Sequence, residues 1–234
     1  MSLRWGIMLF LLMLYGCTQP TDAIDTAKVK VAATAADSAA VDVKKKYREG
    51  LEYHRIEPPL PLSEQRKPGH VEVVEMFFYA CPPCYKLDPK LKKWLQDKPY
   101  IDFHRIPAIV GPTWADQARA FYMAEQLGDA EKLHQALFKA IHEDGEQIYN
   151  QYAVLKFFTG QGYDAKKIEE LYYSQEIADS VNEARVRTVK YGLRGVPAVI
   201  VNGKFKTAPY FVRNQEEMLK VLEELVNMER AGAV

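Results

Sequence analysis

The sequence predicts an α/β fold in which a helical block stands between two sheet-forming segments. Three observations predict it. Val71 to Tyr79 is a nearly continuous apolar run, followed at once by a helical stretch and a second strand. From about Thr113 to Val189 the apolar residues recur with a helical period. The chain then returns to a short apolar strand, a turn and an amphipathic helix. An unbroken apolar strand is the pattern of a strand buried on both faces, so helices are expected to cover the sheet.

Each element has a local reason. Tyr85 to Gln96 reads as a helix, with Pro89 expected to kink it by removing one amide and crowding the preceding turn. Ile101 to Ile106 is the second strand. In the block, Trp114 to Leu127 stops at Gly128, a residue suited to the left-handed C-cap. Ala130 to His142 stops before Gly145, and Tyr149 to Phe158 before Gly160. Ala165 to Tyr173 and Glu176 to Tyr191 complete it. Ala198 to Val201 is then a strand, Asn202-Gly203 a two-residue hairpin turn, and Lys204 to Lys206 its return strand. Glu216 to Met228 closes the chain as an amphipathic helix.

The 234 residues suffice for a sizeable core. Lys+Arg and Asp+Glu both number 31, which removes any electrostatic case for nucleic acid as a partner. The N-terminus carries more. Met1 to Arg4 is a basic start, and Trp5 to Tyr15 is apolar. About eleven helical residues span roughly half of a ~30 Å hydrocarbon core, so the pattern is an export signal rather than a membrane span. Leu14-Tyr15-Gly16-Cys17 resembles the lipobox of bacterial lipoproteins, which implies a signal over 1–16, a lipid on Cys17 and anchoring to a membrane. Thr18 in place of Asp implies the outer membrane. Residues 17–46 are polar and small with no clear period, the composition of a flexible tether. The folded part is expected to begin near Tyr47.

Besides Cys17 there are two cysteines, in Cys81-Pro82-Pro83-Cys84. As a structural staple the pair would close a very short loop and gain little. A zinc site needs two further ligands, and the five histidines show no ligand spacing. Tyr85 rules out a C-x-x-C-H haem attachment. Redox use remains. Pro82 fits the first helical position, so Cys81 lies where the free N–H groups and the positive end of the helix favour a thiolate. Cys84, one turn inward, is expected to be the buried partner. Phe77 and Tyr79 read as core residues, and Glu72 as the solvated end of its strand.

Glu75-Met-Phe-Phe-Tyr-Ala-Cys-Pro-Pro-Cys-Tyr85 together with Leu193-Arg-Gly-Val-Pro-Ala-Val-Ile-Val-Asn-Gly-Lys-Phe205 resembles the DsbA family over about Tyr47 to Arg230. The resemblance implies a thioredoxin-like fold with an inserted helical domain. Its parts would be 47–106 and 185–230, with the insertion at 107–184. It implies that Cys81 is the exposed nucleophile, Cys84 the buried cysteine and Glu75 a buried acid exchanging protons with Cys84. Pro197 would follow a cis peptide bond, with the Val196 backbone pairing with substrate. It further implies a periplasmic oxidoreductase that introduces disulfides into exported proteins, reoxidised by a DsbB-type membrane quinone reductase, with no metal or organic cofactor. A reductase or isomerase of similar fold, and a lipid-tethered peptide-binding or chaperone module, remain as alternatives. A glutathione transferase relative fits less well, since two cysteines occupy the site.

One position departs from the family pattern. Typical members carry His where this chain has Pro83, and that His helps stabilise the outer thiolate. A helix terminus contributes ~0.3–1 kcal/mol, and ~2 at most. At ~1.36 kcal/mol per unit this lowers a cysteine pKa of ~8.5 by about 1.5 units, to near 7. The value of ~3.5 established for the family's name-giving member needs further donors, and Pro83 has neither an imidazole nor an amide N–H to give. A less stable thiolate makes a weaker oxidant. The redox potential is therefore expected to be more reducing than in His-containing relatives. Titration against glutathione checks this, and an equally oxidising value would refute it.

Overall fold

The computed structural model describes residues 46–64 and 66–232. The signal, most of the tether and Cys17 lie outside the described residues. The first strand among the described residues, β1, is the short His54–Arg55, which sequence periodicity does not announce. Strand β2 spans Val71–Phe77 and is buried at every position, as the unbroken apolar run requires. It ends two residues earlier than expected, leaving Phe78 to Ala80 for the turn into helix α1, Pro82–Leu95. That helix passes through Pro89 without interruption. Strand β3 spans Ile101–Pro107.

Five helices follow: α2 Trp114–Gln126, α3 Ala130–His142, α4 Gln151–Gly160, α5 Ala165–Tyr172 and α6 Gln175–Lys190. Three of them begin on the acceptor side chains that the sequence offers, Asn150, Asp164 and Ser174, each accepting from the backbone N–H three residues on. Strands β4 (Ala198–Val201) and β5 (Phe205–Thr207) and helix α7 (Gln215–Ala231) complete the chain.

The sheet has the order β1-β5-β4-β2-β3. Strands β2 and β3 are parallel, and the other pairs antiparallel. The pairing sets Glu75 opposite Arg105 on one side and Val199 on the other. Leu87 and Leu91 of α1 and Met218, Leu222 and Leu225 of α7 pack with Val73 and Val201 of the sheet. Phe77, Tyr79 and Cys84 instead join the core of the helical block, with Phe121, Leu133, Leu137 and Phe138. The reactive end is thus roofed by the block.

The expectation for Glu72 is corrected. It is fully buried, because the β4–β5 hairpin folds over this end of β2. Glu72 N–H donates to Asn202 Oδ1 at 2.8 Å, Asn202 N–H donates to the Glu72 carbonyl, and Glu72 Oε2 accepts from Ser63 N–H at 2.6 Å. A charged residue at a strand end looks solvated until the hairpin covering it is known.

Asn202 and Gly203 both have positive φ, 48° and 62°, as a two-residue hairpin turn demands. Gly203 is doubly constrained, since a Cβ there would lie 2.3 Å from the Leu60 carbonyl oxygen. Leu60 N–H also donates to the Gly203 carbonyl. Gly203→Ala is expected to cost roughly 2 kcal/mol or more, measured by denaturant unfolding. A loss no larger than for an alanine at an open surface position would contradict this.

Candidate active site

Cys81 is the N-cap of α1. Its extended backbone (φ −91°, ψ 109°) turns the sulfur over the first helical turn, where Sγ accepts from Cys84 N–H at 3.3 Å. Caps are usually oxygen acceptors that satisfy one orphan amide; here a sulfur does so, and an anionic sulfur does it better. Pro82 and Pro83 fill the next two positions, where missing amides cost nothing. Both prolines are exposed, Cys81 is half-buried and Cys84 is fully buried. Both cysteines are free thiols.

The two sulfurs are driven apart. Hydrogen bonding from the Cys84 thiol, then from the Cys84 amide, brings Cys81 below the ordinary cysteine value against the opposing effect of burial. Burial, then the hydrogen bond to Cys81, pushes Cys84 well above it. The Cys81 thiol points to the Val196 carbonyl at 3.5 Å, and the Val196–Pro197 peptide is cis. The structure therefore brings Cys81, Pro82, Pro83, Cys84, Val196 and Pro197 to one place. The chain has a second cis peptide, Glu57–Pro58, that the sequence does not signal.

Three residues of the helical block and one of α7 hold the turn. Gln117 of α2 accepts from Ala80 N–H at 2.9 Å and donates to the Ile148 carbonyl. His142 Nε2 donates to the Tyr79 carbonyl at 2.7 Å, its ring stacked on Tyr85. Trp114 stacks on Phe78 at 3.9 Å between centroids. Gln215 donates to the Pro83 carbonyl at 2.7 Å.

Below the cysteines, Glu75 is 1% exposed. Burial pushes its carboxyl up to about 8; Arg105 opposes this, while Asp88 and Cys81 add to the rise. Arg105 Nε approaches Glu75 Oε2 only to 3.4 Å and makes no hydrogen bond there. The guanidinium is committed elsewhere: Nη2 donates to Asp88 at 2.8 Å and Nη1 to Glu131 at 3.0 Å. Asp88 is buried, which would raise its pKa. Hydrogen bonds from His134 and Gln135 and the charge of Arg105 outweigh this and hold it well below the carboxylate range.

Sequence reasoning missed Asp88, Arg105, His134, Gln117, His142 and Gln215. Only Asp88 left a signal. It falls on the same helical face as Cys84, Leu87 and Leu91, where a carboxylate has no place unless something inside meets it.

A helix-capping dithiol facing a cis-proline loop at the end of a β-α-β unit defines a thioredoxin-fold thiol–disulfide oxidoreductase. The profile of the DSBA-like thioredoxin domain matches residues 72–222, and the chain belongs to that family. It is 34% identical over 188 residues to the thiol:disulfide interchange protein DsbA of Pseudomonas aeruginosa, covering 80% of this chain and 88% of that protein. The protein of the same name from Azotobacter vinelandii is 31% identical over 184 residues, covering 78% and 85%. The crystal structure of Pseudomonas aeruginosa DsbA superposes with a TM-score of 0.73 over 80% of this chain and 96% of that one. The oxidoreductase DsbA from Xylella fastidiosa gives 0.70 at 32% identity, over 77% and 96%. The fold expected from the sequence, thioredoxin-like with a helical insertion, is the one observed.

Glu75 also makes a stability statement. Its native pKa is raised, so the native state binds more protons than the unfolded chain between the ordinary carboxylate range and about pH 8. Its contribution is most favourable below that window and is lost as pH rises through it. Glu75→Gln is therefore expected to stabilise the protein, by little at acid pH and by about 3 kcal/mol near neutrality. Urea unfolding at several pH values measures this, and a pH-independent increment would contradict it.

Proposed function

We propose that this protein introduces disulfides into exported proteins through the Cys81–Cys84 pair. The observation carrying the reading is the opposed environment of the two sulfurs: one caps a helix and is partly exposed beside Val196, the other is buried and held protonated. In the oxidised protein a substrate thiolate attacks Cys81 Sγ, the disulfide breaks, and its electron pair leaves on Cys84. The emerging thiolate takes a proton from Glu75. A second substrate thiolate attacks the mixed disulfide and expels Cys81 as the stabilised thiolate. The substrate is oxidised by two electrons and the pair is reduced by two. Pro82 and Pro83 set the first turn and so tune Cys81. The backbone at Val196 and Pro197 offers an extended edge for a peptide.

Catalytic turnover needs a partner to reoxidise the pair. On the family resemblance we assign this to a DsbB-type membrane quinone reductase. We place the protein in the periplasm, tethered through residues 17–46 to a lipid on Cys17 at the outer membrane. Within the folded part we take 107–184 as the inserted domain between 47–106 and 185–230. The reaction calls on no metal or organic cofactor.

Oxidative refolding of a reduced two-cysteine protein tests the reading. The wild-type disulfide form should oxidise it stoichiometrically, and Cys81→Ala should do so at least a hundred-fold more slowly, of order the uncatalysed rate. Cys84→Ala should accumulate a mixed disulfide with a peptide disulfide, visible by mass. Peptide binding by wild type without any exchange would favour a binding module instead.

A further inference from the structure

His134 belongs to α3 of the helical block, yet its ring is 2% exposed and engaged at both nitrogens. Nε2 lies 3.1 Å from Asp88 Oδ1, and Nδ1 lies 3.0 Å from the Tyr79 hydroxyl. The Asp88 carboxylate only accepts, which assigns the hydrogen to Nε2; Nδ1 then accepts from Tyr79 O–H. Burial pushes the imidazole below its ordinary value, and the hydrogen bond to Asp88 offsets this only in part, so the ring is neutral. It packs among Phe77, Phe121 and Phe138, which fix its plane.

The consequence reaches Glu75 through Arg105. Asp88 receives three donors: His134 Nε2, Gln135 Nε2 at 2.7 Å and Arg105 Nη2 at 2.8 Å. Two of these come from α3, as does Glu131, which takes the other arm of the guanidinium. Held at both arms, Arg105 presents Glu75 only its Nε, at 3.4 Å. We propose that His134 is a positioning residue for disulfide exchange: by fixing Asp88 as the anion that engages Arg105, it denies Glu75 a full ion pair and keeps that carboxyl as the proton store for Cys84. The inference rests on the exchange reading given above.

The sign follows from the groups around Glu75. Arg105 faces it from β3, Asp88 and Cys84 from α1 and Cys81 from its N-cap, and β4 sets Val199 beside it; α3 acts through Glu131 and His134. Without the imidazole donor, a buried Asp88 takes up a proton more readily. Its charge then opposes ionisation of Glu75 less, and Arg105, less firmly held, can turn toward Glu75. Both changes make Glu75 a stronger acid, one that loses its stored proton at lower pH.

The experiment is single-turnover attack by a dithiol peptide on the oxidised protein across roughly pH 5 to 10, with rates corrected for the peptide's thiolate fraction. Wild type should slow with a midpoint near 8 as Glu75 loses its proton. His134→Phe, which fills the aromatic cluster but cannot donate, should move the midpoint down by about one unit and slow the reaction roughly five-fold at pH 8. His134→Gln, whose amide can donate to Asp88, should restore most of the shift. A His134→Phe midpoint equal to that of wild type overturns the proposal. Imidazole nitrogen NMR of the wild-type protein needs no variant: a neutral ring with hydrogen on Nε2 at neutral pH supports the proposal, and a cationic ring overturns it. Two controls separate the underlying readings. Absence of exchange by wild type would defeat the thiol chemistry itself, and an unchanged break in Glu75→Gln would defeat the proton store.

Discussion

Arg105 enters from β3 beneath α1 with its side chain only 15% exposed, so carboxylates and not water must balance its charge. Three carboxylates surround it: Glu75, Asp88 and Glu131. One cation cannot balance three anions, two of them buried, and the way the surplus is resolved organises the reactive end. Glu131 is half exposed and shared with Lys92, so it keeps its charge. Asp88 is buried but has three donors, which is enough to stabilise the anion. Glu75 has the longest contact with Arg105 and the deepest burial, so it carries the proton. A carboxyl protonated near neutrality beneath a disulfide is what a thiolate leaving group in an apolar site needs.

Much of this architecture was legible in the chain, because its signals are local. An unbroken apolar run means a strand buried on both faces, and Val71–Phe77 is one. Asn202-Gly203 can supply two positive φ angles at low cost, and it turns a hairpin. C-x-x-C ahead of a helical period places one sulfur at the helix start and the other a turn inside. Glu75 and the Val196–Pro197 peptide were reached through the family resemblance rather than through physics. What stayed hidden is long-range. Asp88, Arg105 and His134 stand 17 and 46 residues apart along the hydrogen bonds that join them, with no spacing to connect them. Glu72 failed for the same reason, since the hairpin that covers it is 130 residues away. Strand β1, two residues long, exists only because β5 is there to pair with it.

The two cysteines show how one backbone geometry serves opposite ends. The turn that leaves Cys81 as an N-cap gives its sulfur the Cys84 amide, and the same turn carries Cys84 into the core of the helical block. Among the described residues, the donors to Cys81 thus come from Cys84, through its thiol and its amide. Pro83 adds no donor, and its carbonyl is occupied by Gln215. An imidazole at that position would add a further donor to the Cys81 thiolate, and Pro83 does not. This bears on how strongly the pair oxidises and not on which sulfur is attacked. On the proposed reading the incoming thiolate attacks Cys81, which is half-buried, while Cys84 is fully buried.

The helical block therefore enters the chemistry at two depths. Gln117, Trp114 and His142 grip the turn before Cys81 through Ala80, Phe78 and Tyr79, fixing where the sulfur stands relative to Val196. Deeper in, His134, Gln135 and Glu131 determine where the charge of Arg105 goes. Phe77 and Tyr79 tie both layers to β2, their rings 5.0 Å apart within the aromatic cluster around His134 and Phe138. Desolvation raises Glu75, but a burial that let Arg105 pair fully with it would largely undo the effect. The strand supplies the acid and the insertion withholds its counter-ion. On the proposed reading, a β-α-β unit bearing the same cysteines and the same Glu75, but without α3, would leave Arg105 free to pair with Glu75 and would lose the proton that we assign to the departure of Cys84.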